Sequence, residues 1–319
     1  YCDQAVSMAG NNPDVLLMCG RVYTALGNIE RSISIFQSLV QQQSDNADAA
    51  VELAKALELK GESKSAEEYY LRALELRPGH WDVYNQIAGF YFETGNFQKA
   101  EENWRRVTEL LDLNPVGFNN LGIALLYQEK YAEALMAFRR ALSLKKLPST
   151  YLSLGTSYLF VGNCDKAAES FDLGLLLDKE NAELIGAKAD AFSCGNRQNT
   201  QAITAYHSAI NLIKQQDITT DSSSLSLLAE WYARTNNKKL ALESIEESLR
   251  LDPENYDSLI SAIKVYHLTN EPERLKTQLE KAVKNRKSLF EVEHDPLVIE
   301  IIQKEPYRRI IEQQKAKRG

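Results

Sequence analysis

The stretch FNNLGIALLYQEKYAEALMAFRRA, residues 118–141, decides the fold. Small residues at Gly122, Ala134 and Ala141 alternate with large ones at Phe118, Leu125, Tyr131 and Phe138, at intervals of three or four within each half. That is the period of an amphipathic helix. The small positions let two backbones approach closely, and the bulky ones fill the grooves beside the crossing. The stretch therefore predicts two short antiparallel helices.

Outward from it, the pattern repeats. Large residues recur at Tyr23, Leu57, Tyr91, Leu125, Tyr158, Phe192, Tyr232 and Tyr266, at intervals of 34, 34, 34, 33, 34, 40 and 34. Three residues before each stands Gly20, Ala54, Ala88, Gly122, Gly155, Ala189 or Ala229, with Ile263 the exception. A second small column (Ser32, Ala66, Ala100, Ala134, Ala167, Ala202, Ala241) is followed four residues on by a bulky one from Phe36 to Ile245. Turn signals such as Lys60-Gly61-Glu62, Val161-Gly162-Asn163 and Thr235-Asn236-Asn237 separate the helices, and Pro78, Pro115, Pro148 and Pro253 close copies. No strand-like alternation appears, so the predicted class is all-α.

This repeat resembles the tetratricopeptide repeat family. On that resemblance eight copies fall at 13–46, 47–80, 81–114, 115–147, 148–181, 182–221, 222–255 and 256–288, covering 276 of 319 residues. The resemblance implies a right-handed α-solenoid of helix hairpins. The sixth copy departs from the pattern at Lys188, in an expanded turn Cys194–Asn199 and in a longer exit near Gln215–Asp221. Residues 1–12 match the second helix of a preceding copy, with Cys2 and Ala5 at its bulky and small positions. That half-copy suggests a chain cut from something longer. At the other end, residues 289–319 read as capping helices: Asp295-Pro296 starts one, Pro306 ends it, and Tyr307 starts another before a basic tail. The cap also resembles the end of tetratricopeptide arrays in bacterial multidomain signalling proteins, which follow a Ser/Thr kinase, a winged-helix regulator or a cyclase.

Composition narrows the function. The chain carries 37 Lys+Arg against 44 Asp+Glu, a formal charge of −7. No general excess of positive charge is available to displace counterions, so nucleic acid is not the expected partner. The charge is uneven, since residues 264–319 hold 13 basic against 9 acidic groups. No apolar run approaches the roughly 18 residues of a membrane span. Cys2, Cys19, Cys164 and Cys194 form no Cys-x-x-Cys pair and read as reduced thiols, which favours a cytoplasmic location. Phosphate-loop, dinucleotide, zinc-protease, nucleophile-elbow and kinase motifs are absent, and the four histidines are scattered. Neither an active site nor a cofactor or metal is expected.

A binding role is what remains. The resemblance implies that first helices line a concave groove through positions 2, 5, 9, 12 and 13 of each copy. In the first three copies these positions lean acidic, with Asp14, Asp48, Glu58, Asp82 and Glu93 against Arg21 and Lys55. In copies four and five they turn apolar. Phe92, Asn119, Ile123, Leu126, Tyr127, Thr156, Leu159 and Phe160 are therefore the candidate partner-binding residues, because large apolar groups facing water mark interaction surfaces. The alternative is that curvature buries some of them as ordinary core. On the first reading, replacing Leu126 and Phe160 by Asp abolishes binding without unfolding the array. The lysine and arginine set of chaperone-adaptor members is not matched, since no fifth position carries Lys. The expectation is an interaction scaffold that takes a protein or peptide in its groove and is able to self-associate. The alternative is the sensor arm of a larger signalling protein.

Overall fold

The computed structural model describes residues 12–194, 200–216, 221–253, 255–284 and 292–316, with the isolated positions 2, 4 and 8. All regular structure among them is helical. The chain forms two compact units, residues 1–117 and 118–319.

The first unit holds three helix pairs: α1 (Pro13–Ala25) with α2 (Ile29–Gln42), α3 (Ala47–Leu59) with α4 (Ser63–Leu76), and α5 (Trp81–Glu93) with α6 (Phe97–Leu110). Three of these helices begin at an asparagine that caps free N–H groups. Asn12 and Asn46 accept hydrogen bonds from the first turns of α1 and α3, and Asn96 does so for α6. The buried face carries the repeat's small and bulky columns. Phe36, Tyr70 and Trp104 are almost wholly enclosed, beside Ala54, Ala66, Ala73, Ala88 and Ala100. Successive pairs stack through aromatic contacts, as where Phe90 meets Tyr70 with ring centroids 5.3 Å apart.

The second unit continues the same scheme. Its pairs are α7 (Pro115–Leu126) with α8 (Tyr131–Leu144), α9 (Pro148–Phe160) with α10 (Cys164–Leu175), and α11 (Ala182–Ser193) with α12 (Thr200–Gln215). Then come α13 (Ser222–Arg234) with α14 (Lys238–Leu251) and α15 (Tyr256–Leu268) with α16 (Pro272–Ala282). Two further helices follow, α17 (Pro296–Ile302) and α18 (Tyr307–Ala316). Helix starts at residues 13, 47, 81, 115, 148, 182, 222 and 256 coincide with the starts of the repeat copies.

Two local features explain why the repeat tolerates so few residue types. At Gly155 a Cβ would lie 2.3 Å from the ring of Phe171, which is fully buried, so the crossing of α9 and α10 requires glycine. In the turn after α9, Gly162 takes φ 71°, and at the same point of three other turns Glu129, Asn236 and Asn270 adopt φ 59°. Asparagine reaches that left-handed region readily, whereas glutamate does so at a cost of about 1 kcal/mol.

The cap follows the sequence signals closely. Asp295 accepts hydrogen bonds from the backbone N–H groups of Leu297 and Val298 at 2.9 and 3.1 Å, starting α17, and Val298, Ile301 and Ile311 are buried. The expected half-copy at 1–12, the turn at 195–199, the exit loop at 217–220 and the tail end at 317–319 lie wholly or mostly outside the described residues. The cysteine expectation needs correction. Cys164 and Cys194 form a disulfide, with Cα atoms 6.0 Å apart. The stacking of one pair on the next places the first residue of α10 beside the residue that follows α11, a proximity that the 30-residue separation conceals. Cys2 and Cys19 are free thiols.

Candidate functional site

A cavity of about 310 Å³ opens in the second unit. Its walls come from one face each of α9, α11, α13 and α15, and from the start of α17. Leu152, Thr156, Leu159 and Phe160 lie at helical spacing on α9, and Glu183, Ala187 and Asp190 lie on α11. Leu227, Glu230, Trp231 and Arg234 do the same on α13, and Lys264 projects from α15. One register position recurs: Thr156, Asp190, Glu230 and Lys264 all occupy the ninth place of their copies. Stacking first helices side by side brings that column together.

The apolar part of the wall is Leu152, Leu159, Phe160, Leu227, Trp231 and Leu297. Opposing it is a network of charges. The Lys264 ammonium lies 3.1 Å from Glu230 Oε2 and 2.9 Å from Asp295 Oδ2, and the three side chains are only 15, 12 and 16% exposed. Ser261 donates a hydrogen bond to the other Glu230 oxygen. Tyr206, from α12, donates to Asp190 Oδ1 at 2.6 Å, and the Arg234 guanidinium approaches the same oxygen at 3.8 Å. Arg234 Nε is buried and finds no hydrogen-bond acceptor among the described residues.

Charge and burial compete at each of these groups. Burial works to lower the Lys264 ammonium, yet Asp295, Glu230 and Asp190 together hold it above the ordinary lysine value. Burial pushes the Asp295 carboxyl up, and Lys264 with the helix-start N–H groups pulls it below the usual carboxylate range. At Asp190 the contest goes the other way. Burial raises its carboxyl, and the opposing pull of Arg234 does not restore it, with the Glu230 charge adding to the rise. Asp190 nevertheless keeps 38% of its side chain open, because it borders the cavity.

Of the eight residues expected to bind a partner, Thr156, Leu159 and Phe160 border this cavity and are half-buried. Ile123 and Tyr127 are half-buried on and just after α7 and are not among the lining residues. Phe92 and Leu126 are core, at 8 and 4% exposure, so the premise that they face water fails. Phe92 sits between the rings of Phe97 and Trp104 in its own helix pair, at 5.4 and 5.7 Å. Asn119 is also buried, at 8%. Aspartate at position 126 would therefore disturb packing as well as binding. The polar residues Asp190, Glu230 and Lys264 lie in copies six to eight, beyond the five copies whose groove positions the sequence singled out, and the ninth-place column is the signal that points to them. Asp295 and Glu300 carry no local signal, since they reach the cavity only through the folding of the cap.

Stacked helix pairs with a cavity between their first helices define a helical-repeat protein. Family models described as tetratricopeptide repeat match residues 17–80, 118–146 and 222–255. The chain carries tetratricopeptide repeats over these stretches. Among curated relatives, it is 26% identical over 164 residues to BBSome complex member BBS4 of Mus musculus, covering 51% of this chain and 25% of that protein. It is 27% identical over 194 residues to the type IV pilus assembly protein PilF of Pseudomonas aeruginosa, covering 60% of this chain and 69% of that one. The chain thus spans about a quarter of the length of the BBSome relative. Among solved structures, the C-terminal part of a tetratricopeptide repeat-containing protein from Cytophaga hutchinsonii superposes with a TM-score of 0.51 at 14% identity, covering 77% of this chain and 98% of that one. The APC/C hetero-tetramer Cut9–Hcn1 does so with 0.50 at 14% identity, covering 98% and 58%. These likenesses concern the fold. Among the described residues no helix is long and apolar enough to cross a membrane.

Proposed function

We propose that this chain is a protein-interaction scaffold that holds a peptide segment of a partner in the cavity between α9, α11, α13, α15 and α17. The observation that carries this reading is the two-sided wall. Leu159, Phe160 and Leu227 offer apolar surface next to a ring of charged side chains, the combination that fixes a peptide both by burial and by orientation. Its tetratricopeptide repeats support it, as do relatives named for complexes and assemblies, such as the BBSome and the type IV pilus.

Selection of a random peptide library on the immobilised chain tests this. Selected peptides are expected to lose binding to the Leu159→Asp and Phe160→Asp variants, both of which should remain helical because these side chains are half-buried. Peptides that bind both variants unchanged would overturn the assignment of the cavity.

A further inference from the structure

Five carboxylates and two cations border the cavity. The cations are already committed. Lys264 is shared between Glu230 and Asp295, at 3.1 and 2.9 Å. Arg234 faces Asp190, whose other neighbour is the Tyr206 hydroxyl. Glu183 stands two helical turns before Asp190 on the same side of α11, exposed at the cavity edge, and has no ion pair or hydrogen bond among the described residues. Asp257 adds a further negative charge near it. The cavity thus presents the uncompensated negative charge of Glu183 near the start of α11, one face along from the Asp190–Arg234 pair, with the apolar surface of Leu159 and Phe160 on α9.

A peptide suits both the apolar wall and the charge: one side chain packs on Leu159 and Phe160 and another supplies the cation. A free amine or a metal ion brings only charge. Resting on the proposed scaffold role, we propose that the cavity selects peptide segments in which a lysine or arginine stands beside a large apolar residue, with the basic side chain directed at Glu183 and Asp190 and the apolar one at Leu159 and Phe160. Surplus charge in a concave, low-dielectric wall attracts its opposite more strongly than the same groups on an open surface.

Three capped hexapeptides Ala-Leu-X-X-Phe-Ala, with X lysine, glutamine or glutamate, titrated calorimetrically into the full chain, test the proposal. The lysine peptide should bind about tenfold or more tightly than the glutamate peptide. Glu183→Gln, an exposed and structurally mild change, should weaken the lysine peptide several-fold and leave the glutamine peptide unaltered. Asp190→Asn, which keeps an acceptor for Tyr206, should extend that loss. Equal binding of all three peptides, tighter binding of the glutamate peptide, or indifference of the lysine peptide to both variants would overturn the charge assignment while leaving the scaffold reading in place. If none of the three binds, and Leu159→Asp likewise leaves library-selected peptides unaffected, the scaffold reading falls too.

Discussion

Replacing Lys264 by Met removes the one ammonium that two nearly buried carboxylates share. Glu230 and Asp295 are 12 and 16% exposed and lie within 3.1 Å of it. Methionine fills most of the volume, so packing is largely kept and the loss is electrostatic. Breaking a buried pair on one side costs about 3–5 kcal/mol, because the remaining charge keeps its desolvation penalty without its partner. Asp295 retains the backbone N–H groups of Leu297 and Val298, which places the expected loss near the lower figure. The pH dependence distinguishes this from a packing defect. In the wild type the Asp295 carboxyl is below its ordinary value despite burial, so it contributes stability above about pH 4 that disappears as pH falls through the folded value. Without Lys264, burial dominates and the folded value rises above the unfolded one. The carboxyl then costs stability at neutral pH, and acidification relieves that cost. Urea unfolding at about pH 7.5 and pH 5 should therefore show a deficit of about 3 kcal/mol that shrinks at the lower pH. A loss under about 1 kcal/mol, equal at both values, would refute the reasoning.

Other outcomes follow from particular contacts. Gly155→Ala puts a Cβ 2.3 Å from buried Phe171, an overlap expected to cost about 1–3 kcal/mol against a helix-propensity gain of about 1; Phe171→Leu should rescue it, and a stabilised single variant in urea melts would contradict the close crossing. Closing a segment of 30 residues, the Cys164–Cys194 disulfide is expected to stabilise the chain by about 3.5 kcal/mol, read as a shift in urea midpoint on reduction that Cys164→Ser/Cys194→Ser abolishes. Asn181→Ala removes the acceptor for Leu184 N–H at the start of α11 and should cost about 1 kcal/mol in the same assay.

The fold was legible because its physics is local and repeated. Gly20, Gly122 and Gly155 meet Phe36, Phe138 and Phe171 at the same spacing each time, and only a close crossing of two helices needs that pairing. The helix start at Asp295 was readable for the same reason, its side chain serving the turn that follows it. The site was legible only where one helix face sufficed, at Thr156, Leu159 and Phe160. Burial at Phe92 depends on Phe97 and Trp104 across its hairpin, and helical phase alone cannot separate a groove position from a core position there. The partnership of Lys264 with Asp295 joins a repeat helix to the cap, and the disulfide joins neighbouring pairs; neither has a local pattern.

The most direct measurement is methyl-resolved NMR of the chain with a library-selected peptide. The account predicts that shifts concentrate on Leu152, Leu159, Leu227 and Leu297, the leucines that border the cavity. Shifts confined instead to the exposed leucines Leu173 and Leu176 of α10 and the turn after it, with those four unmoved, would contradict it.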